Sequence, residues 1–309
     1  MPANGLETLL DALEILRDLA PEARAAIAAE FEPVAMKRGD VLVRQGDDAD
    51  QMFIVVSGRF AVRLDGRASP ISEIGPGQPI GEIAFLSGGT RTATVDALRD
   101  SLVLRLTRED FDRLVAKSPV LWRVITVALA RRLAELNSAR AAPPDPRPRT
   151  ITIVRAGGAS IPPAFVAALA ETLARPSQTR RVRGRRVQVV DHARAATILP
   201  PGRALDSSET TAALNDLERQ SDFVVYVAND DLDAWSEKAI RQADIVLAVG
   251  THAADPRPSP VEQRAAALLP AASRRLVLLH PRRRTISGTR RWLAGRDVTM
   301  HHHVALDTP

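Results

Sequence analysis

The sequence predicts two domains of different fold class. The first is an α+β domain built on an antiparallel β jelly-roll barrel with flanking helices, and the second is an α/β domain with a Rossmann-like, doubly wound and mostly parallel sheet. Short strand-like segments divided by glycines fill the first half, and strands alternate with helices in the second. Between the halves, SARAAPPDPRPRT contains four prolines, which disfavour regular structure. We therefore predict domains at 1–137 and 150–309, joined by a Pro-rich linker at 138–149.

The first domain begins with helical patterning over residues 5–30 and then becomes strand-like. Helical patterning returns in REDFDRLVAKSP and in VLWRVITVALARRLAELN, whose leucines and isoleucine at 121, 125, 129, 133 and 136 form one apolar face. Many short strands with glycine turns are typical of a barrel or jelly roll. The predicted strands are VLVRQG, MFIVVSG, RFAVRLDG, SEIGPGQ, TATVDAL and SLVLRLT.

The second domain has the strand–helix alternation that predicts a parallel sheet with right-handed crossovers. Its predicted strands are TITIV, RVQVV, FVVYVAND, DIVLAVG, RLVLLH and DVTMHHHVAL. Its predicted helices are PPAFVAALAETLA, ETTAALNDLERQ, DAWSEKAIRQA, VEQRAAALLP and the short TRRWLAG.

Composition narrows the class of protein. The 309 residues include 45% hydrophobic and 26% charged side chains, which is normal for a globular protein. The chain has no cysteine, and its N-terminus lacks a signal-peptide pattern, so we expect a cytoplasmic protein, with peripheral membrane association left open. The net charge is +5, and nearly all of the positive charge is arginine, which suits phosphate, carboxylate or acidic membrane surfaces.

One segment, PIGEIAFLSGGTRTATV at 79–95, has the groups needed to bind a small phosphate. A glycine allows close backbone approach, an acidic side chain accepts a hydroxyl hydrogen bond, and an arginine supplies a charge-assisted contact. A short helix beginning at this glycine would add amide donors. The candidate residues are Gly81, Glu82, Ile83, Ala84, Arg91, Thr92 and Ala93.

GEIAFLSGGTRTATV resembles the phosphate-binding cassette of cyclic-nucleotide-binding domains, and the resemblance extends over about residues 12–137. It implies a cyclic-nucleotide-binding fold in which Glu82 contacts the ribose 2′-hydroxyl and Arg91 the phosphate. The expected ligand is cAMP or cGMP. Thr92 resembles cGMP-selective members, but bacterial cAMP binders often carry Ser or Thr there too. In the long helix that follows the barrel, Asn137 is the candidate base contact, and the choice between cAMP and cGMP stays open.

Other chemistries lack their motifs. No lysine follows a glycine as in a phosphate-binding loop, so we expect no ATP, although SDFVVYVAND resembles partitioning ATPases, with Asp230 at a magnesium-side position. No G-x-G-x-x-G dinucleotide fingerprint follows a strand. No helix-turn-helix follows the long helix, so no DNA partner is expected. His301 and His303 share a strand face without further ligands, so no metal is expected.

A second resemblance covers the second half. SDFVVYVANDDLDAWSEKAIRQADIVLAVG, RRLVLLHP, GTRRWLAGR and HHHV occur in the order found before the catalytic domain of patatin-like phospholipases of the neuropathy target esterase family. The matching positions are Trp235, Arg241, Gln242, Ala243, Asp244, Leu279, His280, Pro281, Gly288, Thr289, Trp292, Leu293 and 301–303. The family's catalysis uses a G-x-S-x-G serine and an aspartate. GGASI at 157–161 departs from that pattern after Ser160, so we expect no catalytic residue in this chain.

The leading hypothesis is a cyclic-nucleotide-binding regulatory region that acts on a patatin-like lysophospholipase or esterase domain, which is missing from this chain. The alternative is a structural or interaction module with a weakly occupied cassette, which docks proteins or acidic membrane through its arginines. A cAMP-responsive transcription regulator ranks last.

Overall fold

A computed structural model describes residues 30–67, 69–117, 150–175, 184–283 and 285–307. The chain divides into two compact units, Met1–Arg147 and Pro148–Pro309. Several predicted features lie outside the described residues: the helix over 5–29, the helix at 120–137 with Asn137, and the linker at 138–149. The predicted domain boundaries at 137 and 150 stay predictions.

The first unit contains two four-stranded antiparallel sheets, with strand orders β1-β8-β3-β6 and β2-β7-β4-β5. Apolar side chains from both sheets form one core, in which Val55, Phe60, Ile80 and Val103 are almost fully buried. This is the predicted jelly roll. The strands are β1 Glu32–Met36, β2 Val41–Val43, β3 Gln51–Ser57, β4 Phe60–Arg63, β5 Ser72–Ile74, β6 Pro79–Ile80, β7 Thr94–Ala97 and β8 Ser101–Thr107.

Strand β1 was not predicted, because EPVAM has neither clear alternation nor flanking glycines. It lies at an edge of its sheet, where Pro33 pairs opposite Leu104, and a strand edge tolerates a residue without an amide hydrogen. Two helices complete the described part of this unit, α1 Glu82–Ser87 and α2 Arg108–Lys117.

The second unit is a six-stranded, fully parallel sheet with the order β10-β11-β9-β12-β13-β14. Counted from β9, this reads 2-3-1-4-5-6, so two strands are exchanged relative to the Rossmann order 3-2-1-4-5-6. The predicted α/β fold class is confirmed. The strands are β9 Thr150–Arg155, β10 Val187–Val190, β11 Phe223–Val227, β12 Ile245–Thr251, β13 Arg274–His280 and β14 Met300–Ala305.

Helices separate these strands, and side-chain oxygens cap four of them. Asp191, Ser207, Asp233 and Ser259 each accept a hydrogen bond from a backbone amide in the first turn of the helix that follows. The helices are α3 Pro163–Ala174, α4 His192–Ile198, α5 Ser208–Arg219, α6 Ala234–Gln242, α7 Pro260–Leu268, the 3₁₀ turn Ala271–Ser273 and α8 Arg290–Leu293. Only α4 was missed from sequence among these α-helices.

The ends of β9 and β12 meet a buried indole carried by α8. A Cβ atom on Gly157 would lie 2.6 Å from Cη2 of Trp292, and one on Gly250 would lie 2.7 Å from Cζ3. The ring is fully buried, and its N–H donates to the carbonyl oxygen of His252 at 3.1 Å. The connection after β9 leads to β10 on one side of the sheet, and the connection after β12 leads to β13 on the other, so this is the topological switch point of the sheet.

Candidate functional site

The predicted phosphate-binding segment connects the two sheets of the first unit. Strand β6 pairs with β3 in one sheet, α1 follows, and β7 pairs with β2 and β4 in the other. The segment is also held to the 45–48 loop: Thr94 Oγ1 accepts from the amide of Gln45 at 3.0 Å, and Thr90 forms a bridge with Asp48. The cassette therefore rests on the core of the jelly roll at both ends.

Gly81 forms the entry to α1 in a conformation that favours glycine. Its φ is 77° and its ψ is 9°, in the left-handed region. A Cβ atom at this position would lie 2.1 Å from Nη1 of Arg91. Glycine is therefore required twice, by the backbone torsion and by the approach of the guanidinium.

Arg91 is the buried cation of the site. The residue is 4% exposed, and its Nη1 donates to the carbonyl oxygen of Gly81 at 3.0 Å while its Nη2 donates to that of Gln51 at 2.5 Å. Its backbone is fixed as well, because its amide donates to the carbonyl oxygen of Asp47 at 2.8 Å. These two side-chain bonds engage two of the five N–H donors of a guanidinium.

Burial lowers the pKa of Arg91, and the negative charges of Asp50, Asp47 and Glu82 oppose that shift. An arginine keeps its charge in proteins, so the guanidinium stays cationic at neutral pH. The negative charges of these three carboxylates together stabilise the buried cation of Arg91.

Helix α1 carries the acidic candidate and three apolar neighbours. Glu82 is 4% exposed, and Ala84 and Phe85 are also buried, whereas Ile83 is 54% exposed. The short helix predicted to begin here is therefore present. The first amides of a helix have no intrahelical acceptors. In α1 these amides follow directly after Gly81.

The remaining candidate residues differ in placement. Thr92 is exposed and Ala93 half-buried, and both lie between Arg91 and the start of β7. The structure thus brings Gly81, Glu82 and Arg91 together, whereas the proposed base contact Asn137 lies outside the described residues. The carbonyl oxygen of Gln51 is a partner of Arg91 that the sequence did not indicate.

A further contact links the cassette to α2. The ring of Phe85 packs edge-to-face on Phe111, with centroids 5.3 Å apart. The guanidinium of Arg108 lies 3.9 Å above the Phe85 ring and donates to the Phe85 carbonyl oxygen. Phe85 thus joins α1 to α2 through both a packed ring and a hydrogen-bonded carbonyl oxygen.

In the second unit, protein groups fill the edge of the sheet where a phosphate-binding loop would lie. A Cβ atom on Gly157 would lie 2.3 Å from the carbonyl oxygen of Asp255, and the amide of Gly158 donates to that oxygen at 3.0 Å. The hydroxyl of Ser160 donates to the carboxylate of Asp230, which also lies 3.9 Å from Arg155 Nε. Ser160 and Asp230 thus engage each other.

The histidines of β14 join a cluster of rings. His303 Nδ1 lies 2.7 Å from His280 Nε2, and His303 Nε2 lies 3.2 Å from the hydroxyl of Thr289. The rings of His252 and His280 stack at 4.6 Å. Burial lowers the pKa of His303, and the charges of His280 and His301 lower it further. Within the described ranges, no group of three or more His, Cys, Asp or Glu side chains could hold a metal ion.

None of the helices in the described part of the chain has both the length and the apolar character that crossing a bilayer requires.

The jelly roll with its cassette defines the class of the first unit. Residues 33–118 match the family model "Cyclic nucleotide-binding domain". Among solved structures, the chain is similar to Thermus thermophilus Catabolite Activator Protein, with 30% identity, 41% of this chain and 61% of that chain covered, and a TM-score of 0.37. It is also similar to the regulatory domain of Toxoplasma gondii PKA with cAMP, with 25% identity, 43% and 50% coverage, and a TM-score of 0.36.

The second unit gives the particular family. Residues 149–308, more than half of the chain, match the model "Neuropathy Target Esterase family P-loop like domain", so the chain belongs to the neuropathy target esterase family. Lysophospholipase nte1 of Aspergillus terreus is 26% identical over 96% of this chain and 21% of its own length. Lysophospholipase NTE1 of Mycosarcoma maydis is 28% identical over 99% and 18%. The chain thus spans about a fifth of these relatives and corresponds to a regulatory region rather than to a patatin catalytic domain.

Proposed function

We propose that this chain is a cyclic-nucleotide-binding regulatory region that controls a patatin-like lysophospholipase domain. The observation that carries the proposal is the buried constellation of Gly81, Glu82 and Arg91 in a jelly roll of the cyclic-nucleotide-binding class. A cyclic nucleotide offers one phosphate anion and one ribose 2′-hydroxyl, which match a guanidinium and a carboxylate.

In this proposal Arg91 donates N–H groups to the cyclic phosphate, and Glu82 accepts a hydrogen bond from the ribose 2′-hydroxyl. The amides at the start of α1 add donors to the phosphate. Thr92, which is exposed beside Arg91, contacts the base or an exocyclic phosphate oxygen. The ligand is cAMP or cGMP, and in this proposal Thr92 contributes to the choice between them.

Ligand binding acts on the rest of the protein through α1. Because Phe85 packs on Phe111 and its carbonyl oxygen accepts from Arg108, a shift of α1 alters the position of α2. In sequence, residues 118–147 connect α2 to the second unit. Regulation requires that the ligand bind two arrangements of these helices with different affinity.

The hydrolytic step belongs to another domain in this proposal. Ser160 donates to Asp230, but the sequence around it lacks the G-x-S-x-G turn that exposes a nucleophile. The lysophospholipase names of the relatives supply the substrate class of the partner domain. The second unit is a scaffold between the sensor and that domain, and it binds no ATP.

Calorimetric titration of the protein with cAMP and with cGMP tests the first step. We expect saturable binding of at least one ligand and a loss of about 10- to 150-fold in Arg91→Lys, which keeps the charge but not the planar donor geometry. Arg59→Lys, the same substitution outside the cassette, is the matched control. A folded protein that binds neither ligand would disprove the proposal.

The regulatory step has its own test. Lysophospholipid hydrolysis is measured with and without the ligand in a protein that joins this chain to the patatin-like lysophospholipase domain of a relative. We expect the rate to change with ligand in the joined protein and not in its Arg91→Lys variant. A ligand response that survives in that variant would contradict control through this site.

A further inference from the structure

A cavity of about 500 Å³ lies in the second unit, far along the sequence from the cassette. That volume is within the range of small-molecule sites, about 300–1,000 Å³. Its lining comes from β9, β12, β13, α7 and the segment before β14. Apolar side chains supply most of the wall: Val154, Val246, Ala248, Ala265, Ala266 and Val298.

This wall is part of the folded core rather than of loose loops. Val154, Val246, Ala248 and Ala265 belong to one buried hydrophobic cluster. Alanines at 248, 265 and 266 keep the side chains short at the places where strand and helix face the cavity. The cavity therefore borders the folded core, and an apolar chain placed in it would remove accessible surface from water at about 25 cal/mol per Å².

Two charged groups of the lining neutralise each other. Nε and Nη2 of Arg296 donate to the two carboxylate oxygens of Glu262, the second bond being 2.8 Å long. Both side chains are buried, and Nη1 of Arg296 donates to the carbonyl oxygens of Pro256 and Trp292. This pair has its partners within the protein and leaves no net charge at the cavity.

Arg274 is in a different state. Its side chain is 13% exposed, and its buried Nε has no hydrogen-bond partner among the described residues. Its Nη2 lies 3.7 Å from the carboxylate of Asp297, which is 86% exposed. That separation is too long for a hydrogen bond, and solvent weakens the ion pair. A mostly buried guanidinium with an unbonded Nε therefore lines an apolar cavity, and burial without a partner is costly.

We propose that this cavity binds a carboxylate with a linear apolar chain, that is, a medium-chain fatty acid. The carboxylate accepts from the guanidinium of Arg274 in place of the exposed Asp297, and the chain lies along the apolar wall. A singly charged carboxylate costs less to transfer from water into this apolar space than a doubly charged phosphate. The site is independent of the cyclic-nucleotide proposal.

Calorimetry of the whole chain with decanoate, below its micellar concentration, tests this. We expect one saturable site, with acetate, decanol and decyl phosphate each bound at least about tenfold more weakly, since each lacks one element of the match. Arg274→Gln should weaken decanoate at least about tenfold and leave decanol unchanged. The neighbouring Arg275→Gln is the charge-matched control.

A second pair of variants probes the apolar wall. Ala266→Leu narrows the cavity and should weaken both decanoate and decanol, whereas Ala267→Leu, on the same exposed turn of α7 but outside the lining, should not. If Arg274→Gln lowers the thermal midpoint, decanoate affinity is measured in Arg274→Lys instead, which keeps the charge but not the planar donor geometry. Unchanged decanoate affinity in the Arg274 and Ala266 variants, or acetate or decyl phosphate binding as tightly as decanoate, would overturn the proposal.

Discussion

Replacing Gly81 by alanine separates the backbone requirement of the cassette from its requirement for space. Gly81 and Gly88 flank α1 and have nearly equal torsions, with φ of 77° and 72°. A Cβ atom on Gly88 meets no atom within 4 Å, whereas one on Gly81 would lie 2.1 Å from Nη1 and 3.0 Å from Cζ of Arg91. The two substitutions therefore share one penalty and differ in the other.

The shared penalty is that of a left-handed alanine, roughly 1–2 kcal/mol in the free energy of unfolding. Gly88→Ala should show this loss alone and bind cyclic nucleotide normally. Gly81→Ala must also displace the guanidinium of Arg91 from its position beside Gly81, so the proposed charge-assisted contact of Arg91 with the ligand phosphate is lost. That contact is worth about 1.5–3 kcal/mol, which corresponds to about 10- to 150-fold in the Kd of the ligand.

Chemical unfolding measures the first quantity, and calorimetric titration with cAMP and cGMP measures the second. Both variants must be folded at the titration temperature, which circular dichroism establishes. Wild-type affinity in Gly81→Ala would refute the role given to the close approach of Gly81 and Arg91. Equal loss of affinity in Gly88→Ala would show that distortion of α1, and not displacement of Arg91, determines binding.

Three further predictions concern the second unit. Trp292→Ala should lower the free energy of unfolding by about 3–5 kcal/mol, read by urea titration, because it empties a fully buried volume; a loss below 1 kcal/mol would show that the ring is not part of the core. Arg296→Met should destabilise by about 3–5 kcal/mol through the unpaired Glu262, and adding Glu262→Leu should restore most of it; additive losses in this double-mutant cycle would contradict a coupled pair. The lowered pKa of His303 means that the unfolded chain takes up a proton first as pH falls below about 6.5, so stability is retained above that pH and falls below it. His303→Gln should flatten this pH dependence and the exposed His302→Gln should not, as thermal midpoints between pH 5 and 8 would show.

The fold class followed from patterns that are local in sequence. Alternation and glycine turns predicted six of the eight described strands of the first unit, all except β1 and the two-residue β6, and strand–helix alternation predicted the parallel sheet. Strand β1 was missed because only its pairing with β8, about seventy residues away, stabilises EPVAM as a strand. Helix α4 was missed because HARAATI has little apolar periodicity, although Asp191 before it was a readable N-cap. The exchanged strand order at one edge of the sheet depends on tertiary packing and has no local signal.

The sequence indicated which residues belong to the candidate site, but it did not indicate all of their hydrogen-bond and packing partners. The resemblance of 79–95 to a phosphate-binding cassette supplied Gly81, Glu82 and Arg91 together. The bond from Arg91 to the carbonyl oxygen of Gln51 joins residues forty positions apart, and a backbone acceptor has no side-chain signature. The contact of Phe85 with α2 was likewise hidden, because a buried phenylalanine looks alike in sequence whatever it packs on.

The position of Trp292 has a consequence for how the second unit relates to metabolites. Open α/β sheets usually bind small molecules at the carboxyl ends of two neighbouring strands whose following connections lead to opposite sides of the sheet. Here the protein's own indole lies at that position, held by its N–H bond to the carbonyl oxygen of His252. A tryptophan side chain of the second unit thus takes the place at this sheet edge where other open α/β sheets bind a small molecule.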